Sequence, residues 1–171
     1  MKHATRVSGG FTLIELLVVI AILSILSALL LGAVSAARTR AKCMAVEATI
    51  KGLEGALERY ESDFGDYPPS DGDKTGLTGG ENLYECLMTT SKSGPYIPKS
   101  SDFPTVDSKK GKPIFSDGWN HPLRYIHHFD YANKVPNKHT FRIISDGPNG
   151  QFDEGDPGTD DIVNWRKEKP E

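Results

Sequence analysis

The chain has 171 residues, a formal net charge of −3 and 25% charged residues. That length admits one ordinary domain plus an appendage. Lys and Arg are spread out, with no basic stripe interleaved with aromatics, which excludes nucleic-acid binding as the meaning of the charge.

Residues 1–10, MKHATRVSGG, carry Lys2 and Arg6, hold no acid and end in Gly9-Gly10. From Leu16 to Ala37, 22 residues run without a charge. At ~1.5 Å rise per residue they make about 33 Å of helix, enough to cross a bilayer core of ~30 Å. Glu15 stands at the edge of this run. A carboxylate there is expensive, roughly 2.5–3.5 kcal/mol at the membrane centre and less near the interface, so it calls for a cationic partner. The nearest is a free amine at Phe11, if the chain is cut after Gly10.

Three readings of this end compete. An ordinary secretory signal would use the small residues Val34-Ser35-Ala36 for cleavage, but an acid inside the apolar region and the length of the run oppose it. A plain signal anchor leaves Gly10 and Glu15 without a role. A leader of residues 1–10, cut between Gly10 and Phe11, accounts for both. Charge bias does not orient the segment, because Arg38, Arg40 and Lys42 follow it as Lys2 and Arg6 precede it.

The run GFTLIELLVVIAIL, Gly10 to Leu23, resembles the signature of type IV pilins and pseudopilins. The resemblance implies a prepilin peptidase that cuts after Gly10 and methylates the new amine of Phe11. It also implies a single pass through the inner membrane with a head in the periplasm. In that family the acid matching Glu15 pairs with the amino terminus of a neighbouring subunit during assembly.

Helical periodicity continues past the apolar run. Ile50, Leu53, Leu57, Tyr60 and Phe64 recur in steps of three and four, with Lys51, Glu54, Glu58 and Arg59 on the other side. This predicts one helix from about Thr12 to Asp63, roughly 78 Å long. Residues 11–37 form its membrane half and 38–64 its amphipathic half. Two separate helices, broken near Gly32 or near Gly52 and Gly55, remain an alternative.

Gly65-Asp66-Tyr67-Pro68-Pro69 ends the helix and opens a head of residues 65–171. A Gly-rich loop is expected from Ser70 to Gly80, then a short helix over Glu81 to Thr89. Gly94 to Pro113, with four prolines, reads as loop. Leu123 to Phe129 and Thr140 to Ser145 read as an antiparallel hairpin with a long connection. One long helix on a small sheet gives an α+β, pilin-like fold.

The head resembles a narrower family, the major pseudopilins of type II secretion systems (the G-type subunit). The matching residues are Tyr67-Pro68, Pro95-Tyr96-Ile97, Asp117-Gly118-Trp119-Asn120-His121-Pro122-Leu123, Phe141 to Gly147 and Asp160-Asp161-Ile162-Val163-Asn164-Trp165. Gly118 stands where that family usually has proline. Only Gly76-Leu77 of its TxxQGL pattern is kept, and the segment from Asp146 to Asp160 is longer than usual.

Residues 146–161 hold Asp146, Asp153, Glu154, Asp156, Asp160 and Asp161, with no Lys or Arg. Calcium, a hard ion taking six to eight oxygens in flexible geometry, suits such a loop. A solvated acidic loop is the other reading. The resemblance implies a structural calcium site on Asp146, Asp160 and Asp161, with Asp153 or Asp156 able to replace one acid and the carbonyls near Ile143 and Pro148 as further donors.

His127 and His128 alternate on a strand and cannot share one metal. No HExxH, GxSxG, GxGxxG or GxxxxGK[ST] occurs, and no enzymatic role is expected. Trp119 and Trp165 read as packing residues. Cys43 and Cys86 lack CxxC spacing and are open to a disulfide or to two thiols.

The expectation is a structural subunit of the type II secretion pseudopilus, polymerising with itself in the periplasm. Its implied partners are minor pseudopilins, the prepilin peptidase and an inner-membrane assembly platform with its ATPase. Alternatives are a type IV pilin or minor pseudopilin and, from another class, a secreted calcium-dependent enzyme with an ordinary signal peptide.

Overall fold

Ala and Leu dominate the chain after Leu13 and no proline occurs before Pro68; in the computed structural model this stretch is a single helix, α1, Leu13–Phe64. The structure describes residues 11–71, 76–98, 103–127, 141–153, 156 and 158–165. The expected helix is found to within a residue at either end, and Gly32, Gly52 and Gly55 do not interrupt it. Contacts divide the chain into two units, Met1–Thr39 and Arg40–Glu171.

In the first unit the described residues beyond Thr12 are all helical. Its large apolar side chains, from Leu13 and Ile14 through Leu29, Leu30 and Val34, are exposed. A helix apolar all round has a solvent other than water or a partner. Its hydroxyls turn inward: Ser24 Oγ donates to the Ile20 carbonyl at 2.7 Å and Thr39 Oγ1 to the Ser35 carbonyl at 3.3 Å. Such back-bonding satisfies polar side chains without water. By length and composition α1 can cross a membrane.

In the second unit α1 is amphipathic. Val46, Ile50, Leu53, Ala56 and Leu57 are buried, while Lys51, Glu58 and Arg59 face out. Gly65, at φ 84°, stops the helix in the left-handed conformation, its N–H donating to the Glu61 carbonyl at 2.7 Å.

Helix α2, Leu77–Leu87, starts four residues before the expected Glu81 and ends two before Thr89. A Cβ at Gly79 would stand 2.0 Å from the Tyr125 carbonyl oxygen, and one at Gly80 2.8 Å from that of Leu123. The glycines expected in a loop let a helix lie directly on a strand.

The stretch expected as loop from Gly94 to Pro113 contains a strand, β1, Thr105–Asp107, and runs into a second, β2, Pro113–Phe115. They pair antiparallel, Val106 opposite Ile114. Three-residue strands are too short to show alternation. The expected hairpin is present as β3, Arg124–His127, and β4, Phe141–Ser145, with Tyr125 opposite Ile143. Its connection, with His128 and His139, lies outside the described residues. A two-residue strand, β5, Ile162–Val163, adds to β4 and completes the order β3-β4-β5.

Leu83 and Leu87 of α2, Phe115, Leu123, Tyr125, Phe141 and Ile143 form one buried cluster with the apolar stripe of α1. The fold is α+β: a long helix with two small antiparallel sheets. Trp119 packs on that cluster as expected. Cys43 and Cys86 are both free thiols.

Candidate functional site

At the amino-terminal end, Thr12 precedes the first helical residue and Glu15 lies in the first turn. Glu15 Oε2 accepts the Thr12 backbone N–H at 3.0 Å and the Thr12 hydroxyl at 2.9 Å. The Glu15 N–H donates to Thr12 Oγ1 at 3.4 Å. This reciprocal pattern is a capping box, and it satisfies donors that a helix start leaves open. Thr12 was not among the expected site residues; the Thr-x-x-Glu spacing before an apolar run was the available signal. Phe11 is 84% exposed. Gly10 lies outside the described residues.

The acidic loop follows β4. Gly147 takes φ 64°, where a Cβ would stand 2.2 Å from the Asp160 carbonyl oxygen, so the two ends of the loop touch through glycine alone. Asp146, 3% exposed, turns to Arg124 on β3, which donates Nε to Oδ1 at 2.6 Å and Nη2 to Oδ2 at 2.7 Å. The same guanidinium lies 4.2 Å from the Phe152 ring centroid. A bidentate arginine on a buried carboxylate, stacked on an aromatic, clamps the loop to the sheet.

The other acids hold the loop's own backbone. Asp160 Oδ2 accepts the Asn149 N–H at 2.8 Å, and Asp161 Oδ2 accepts the Asp153 N–H at 3.2 Å. The Asp156 N–H donates to the Asp153 carbonyl at 3.0 Å. Of the expected carbonyl donors, Ile143 O already accepts the Asn164 N–H at 3.2 Å. Among the described residues no three His, Cys, Asp or Glu side chains form a group that could hold a metal ion. In this arrangement Asp146, Asp160 and Asp161 are engaged by Arg124 and by N–H groups of the loop itself. Asp146 is answered by Arg124, a partner the sequence did not disclose.

Asp117 joins this loop to the turn before β3. Its Oδ1 accepts the N–H groups of Trp119 and His121 at 2.8 and 2.9 Å, and its Oδ2 accepts the Ser145 hydroxyl at 2.8 Å. Gly147 N–H in turn donates to Ser145 Oγ at 3.2 Å. His127, buried on β3, has Nε2 3.3 Å from Asp66 Oδ1.

A last cluster pins the end of α1. Asp63 Oδ2 accepts the Tyr96 hydroxyl at 2.6 Å and the Ser93 N–H at 3.3 Å, and Lys92 Nζ donates to the Asp63 carbonyl. The Tyr96 bond, with that from Ser93, holds the Asp63 carboxyl below its ordinary value. Burial, then the bond to Asp63, pushes the Tyr96 hydroxyl up to about 12.

The prokaryotic N-terminal methylation motif matches residues 5–31. Type II secretion system core protein G of Pseudomonas aeruginosa is 31% identical over 163 residues, 94% of this chain and 96% of that protein. The Escherichia coli K12 protein of the same name is 29% identical over 95% of this chain and 94% of its own length. The crystal structure of the major pseudopilin from the type 2 secretion system of enterohaemorrhagic Escherichia coli aligns with a TM-score of 0.42 and 22% identity, over 77% of this chain and 92% of that one.

Proposed function

This chain belongs to the family of type II secretion system core protein G, and from that premise we propose that it is the structural subunit of a pseudopilus that drives protein export across the outer membrane. The observation that carries the mechanism is the first half of α1. Its large apolar side chains from Leu13 to Leu30, and Val34, are exposed among the described residues. Lipid covers them while the subunit is stored in the inner membrane, and neighbouring subunits cover them in the filament.

The sequence of events follows from the charges. A prepilin peptidase cuts between Gly10 and Phe11 and methylates the new amine, which stays cationic. Glu15, exchanging its bonds with Thr12, meets the Phe11 amine of an adjacent subunit and sets the axial register. A charge away from water is stabilised only when its counter-charge is in place. The contact is heterologous and does not close, so copies add into a helix. The assembly platform and its ATPase supply the work, and minor pseudopilins cap or start the fibre. The chain's own part is mechanical, not enzymatic.

Deletion of the chain tests the reading. Loss of folded proteins from the medium, restored by the parent chain, supports it. Intact export with loss of surface pili would instead make the chain a type IV pilin.

A further inference from the structure

The three cations that follow the apolar run, Arg38, Arg40 and Lys42, oppose the usual charge bias of membrane segments. Two of them, Arg40 and Lys42, open the second unit. No acid occurs between Glu15 and Glu47. Among the described residues neither Arg40 nor Lys42 enters a salt bridge. Lys42 has one partner of another kind: its Nζ lies 5.6 Å from the centroid of the Trp119 ring.

Trp119 is held there. Its backbone N–H is fixed by the buried Asp117 carboxylate, which the Ser145 hydroxyl also holds. The turn lies on α1 so closely that a Cβ at Gly118 would sit 3.4 Å from Lys42 Cβ. Trp119 remains half-buried, its indole beside the ammonium. Asp117, the acid on this turn, points inward and is 2% exposed. Glu47, the nearest acid along α1, comes five residues after Lys42.

Position decides what this pair of cations and indole can meet. Arg40 and Lys42 follow Ala37 by three and five residues, which at helical rise is about 4.5 and 7.5 Å. The headgroup layer beyond the hydrocarbon core is roughly 5–7 Å deep on each side. Tryptophan belongs at that depth, apolar body toward the chains and N–H toward water, and Lys and Arg reach phosphates from there.

We propose that Lys42 and Trp119, with Arg40 reaching the same layer from the other side of α1, bind the phosphate headgroups of anionic phospholipids, seating the head on the bilayer while the subunit awaits assembly. This rests on the reading of the chain as a membrane-stored subunit. This seating brings the rigid turn at Asp117 to the interface, and drawing the subunit into the filament must break its contacts with lipid.

The test uses the full mature chain with Trp165→Phe, so that Trp119 is the only tryptophan. It is reconstituted in vesicles of phosphatidylethanolamine and phosphatidylglycerol, about three to one, or of phosphatidylcholine alone, each with a nitroxide-labelled headgroup lipid. The expected result is quenching of Trp119 at least about twofold stronger in the anionic vesicles, lost at high salt and in Arg40→Gln/Lys42→Gln. Equal quenching in both vesicles overturns the proposal. So does a double variant that is quenched like the parent yet no longer polymerises, because the cations would then serve a contact between copies. Flotation separates the two levels: a chain that floats with neither vesicle refutes membrane storage itself, and the proposal falls with it.

Discussion

One carboxylate oxygen of Glu15 takes both the backbone N–H and the hydroxyl of Thr12, at 3.0 and 2.9 Å. The acid that the pseudopilus reading assigns to a neighbour's amine is thus already turned toward the start of its own helix. The cap holds it there, at the end of the helix where the proposed pairing would take place.

Substitutions at the two positions should therefore differ in degree. Glu15→Leu leaves each incoming amine unpaired, about 3–5 kcal/mol per contact, and filament yield should fall by two orders of magnitude or more. Thr12→Ala removes a helix cap of about 1 kcal/mol and should lower yield by several-fold. Sheared filaments quantified by immunoblot give both numbers. Normal polymerisation of Glu15→Leu would contradict the pairing.

Arg124 carries the acidic loop. Arg124→Gln leaves the Asp146 carboxylate buried without its bidentate partner and should cost about 3 kcal/mol of head stability. Asp146→Asn in the same background should restore part of it, since the stranded charge is then gone. Thermal unfolding of the full chain in detergent, with chelator present so that the loss reports the arginine alone, measures both. A melting temperature equal to the parent's would refute the clamp.

The head should resist alkali. Burial first, then neighbouring bonds, pushes Tyr60 and Tyr96 from 10.0 up to about 12. Groups raised in the folded state contribute stability that is complete below pH 10 and lost as pH rises through 12. Asp63 has the opposite sign: its contribution is present above 3.8 and lost as pH falls through its lower native value. Phenolate absorbance followed with circular dichroism should show a late phase between pH 10 and 12 that coincides with unfolding. Tyrosine ionisation complete near pH 10 would contradict this.

Two glycines in helices should respond in opposite directions. Gly79→Ala forces a Cβ to within 2.0 Å of the Tyr125 carbonyl oxygen, and overpacking of that kind costs about 1–3 kcal/mol or more. At Gly55 no atom lies within 4 Å of the added Cβ, so Gly55→Ala should stabilise the helix by up to about 1 kcal/mol. Denaturant unfolding reads both; equal effects would mean that α2 does not lie on β3 as closely as described.

The long helix was legible because its signals are local and repeated: an uncharged run, then Ile50, Leu53 and Leu57 at helical spacing. The hairpin of β3 and β4 was legible for the same reason. The first turn of α2 was not. Gly79 and Gly80 look like loop residues, and what makes them helical is the carbonyl of a strand more than forty residues away. β1, β2 and β5 are too short to carry a period. At the acidic loop the carboxylates could be counted, but their partner could not: Arg124 precedes Asp146 by 22 residues and meets it only because β3 pairs with β4. The capping box is legible as Thr12-Leu13-Ile14-Glu15, because its spacing is local.

Mass spectrometry of the amino-terminal peptide, from the chain isolated out of its own cell envelope, tests the central claim most directly. The account predicts a peptide that begins with N-methylated Phe11. A peptide beginning at Ala37, or an intact leader still joined through Gly10, would contradict it.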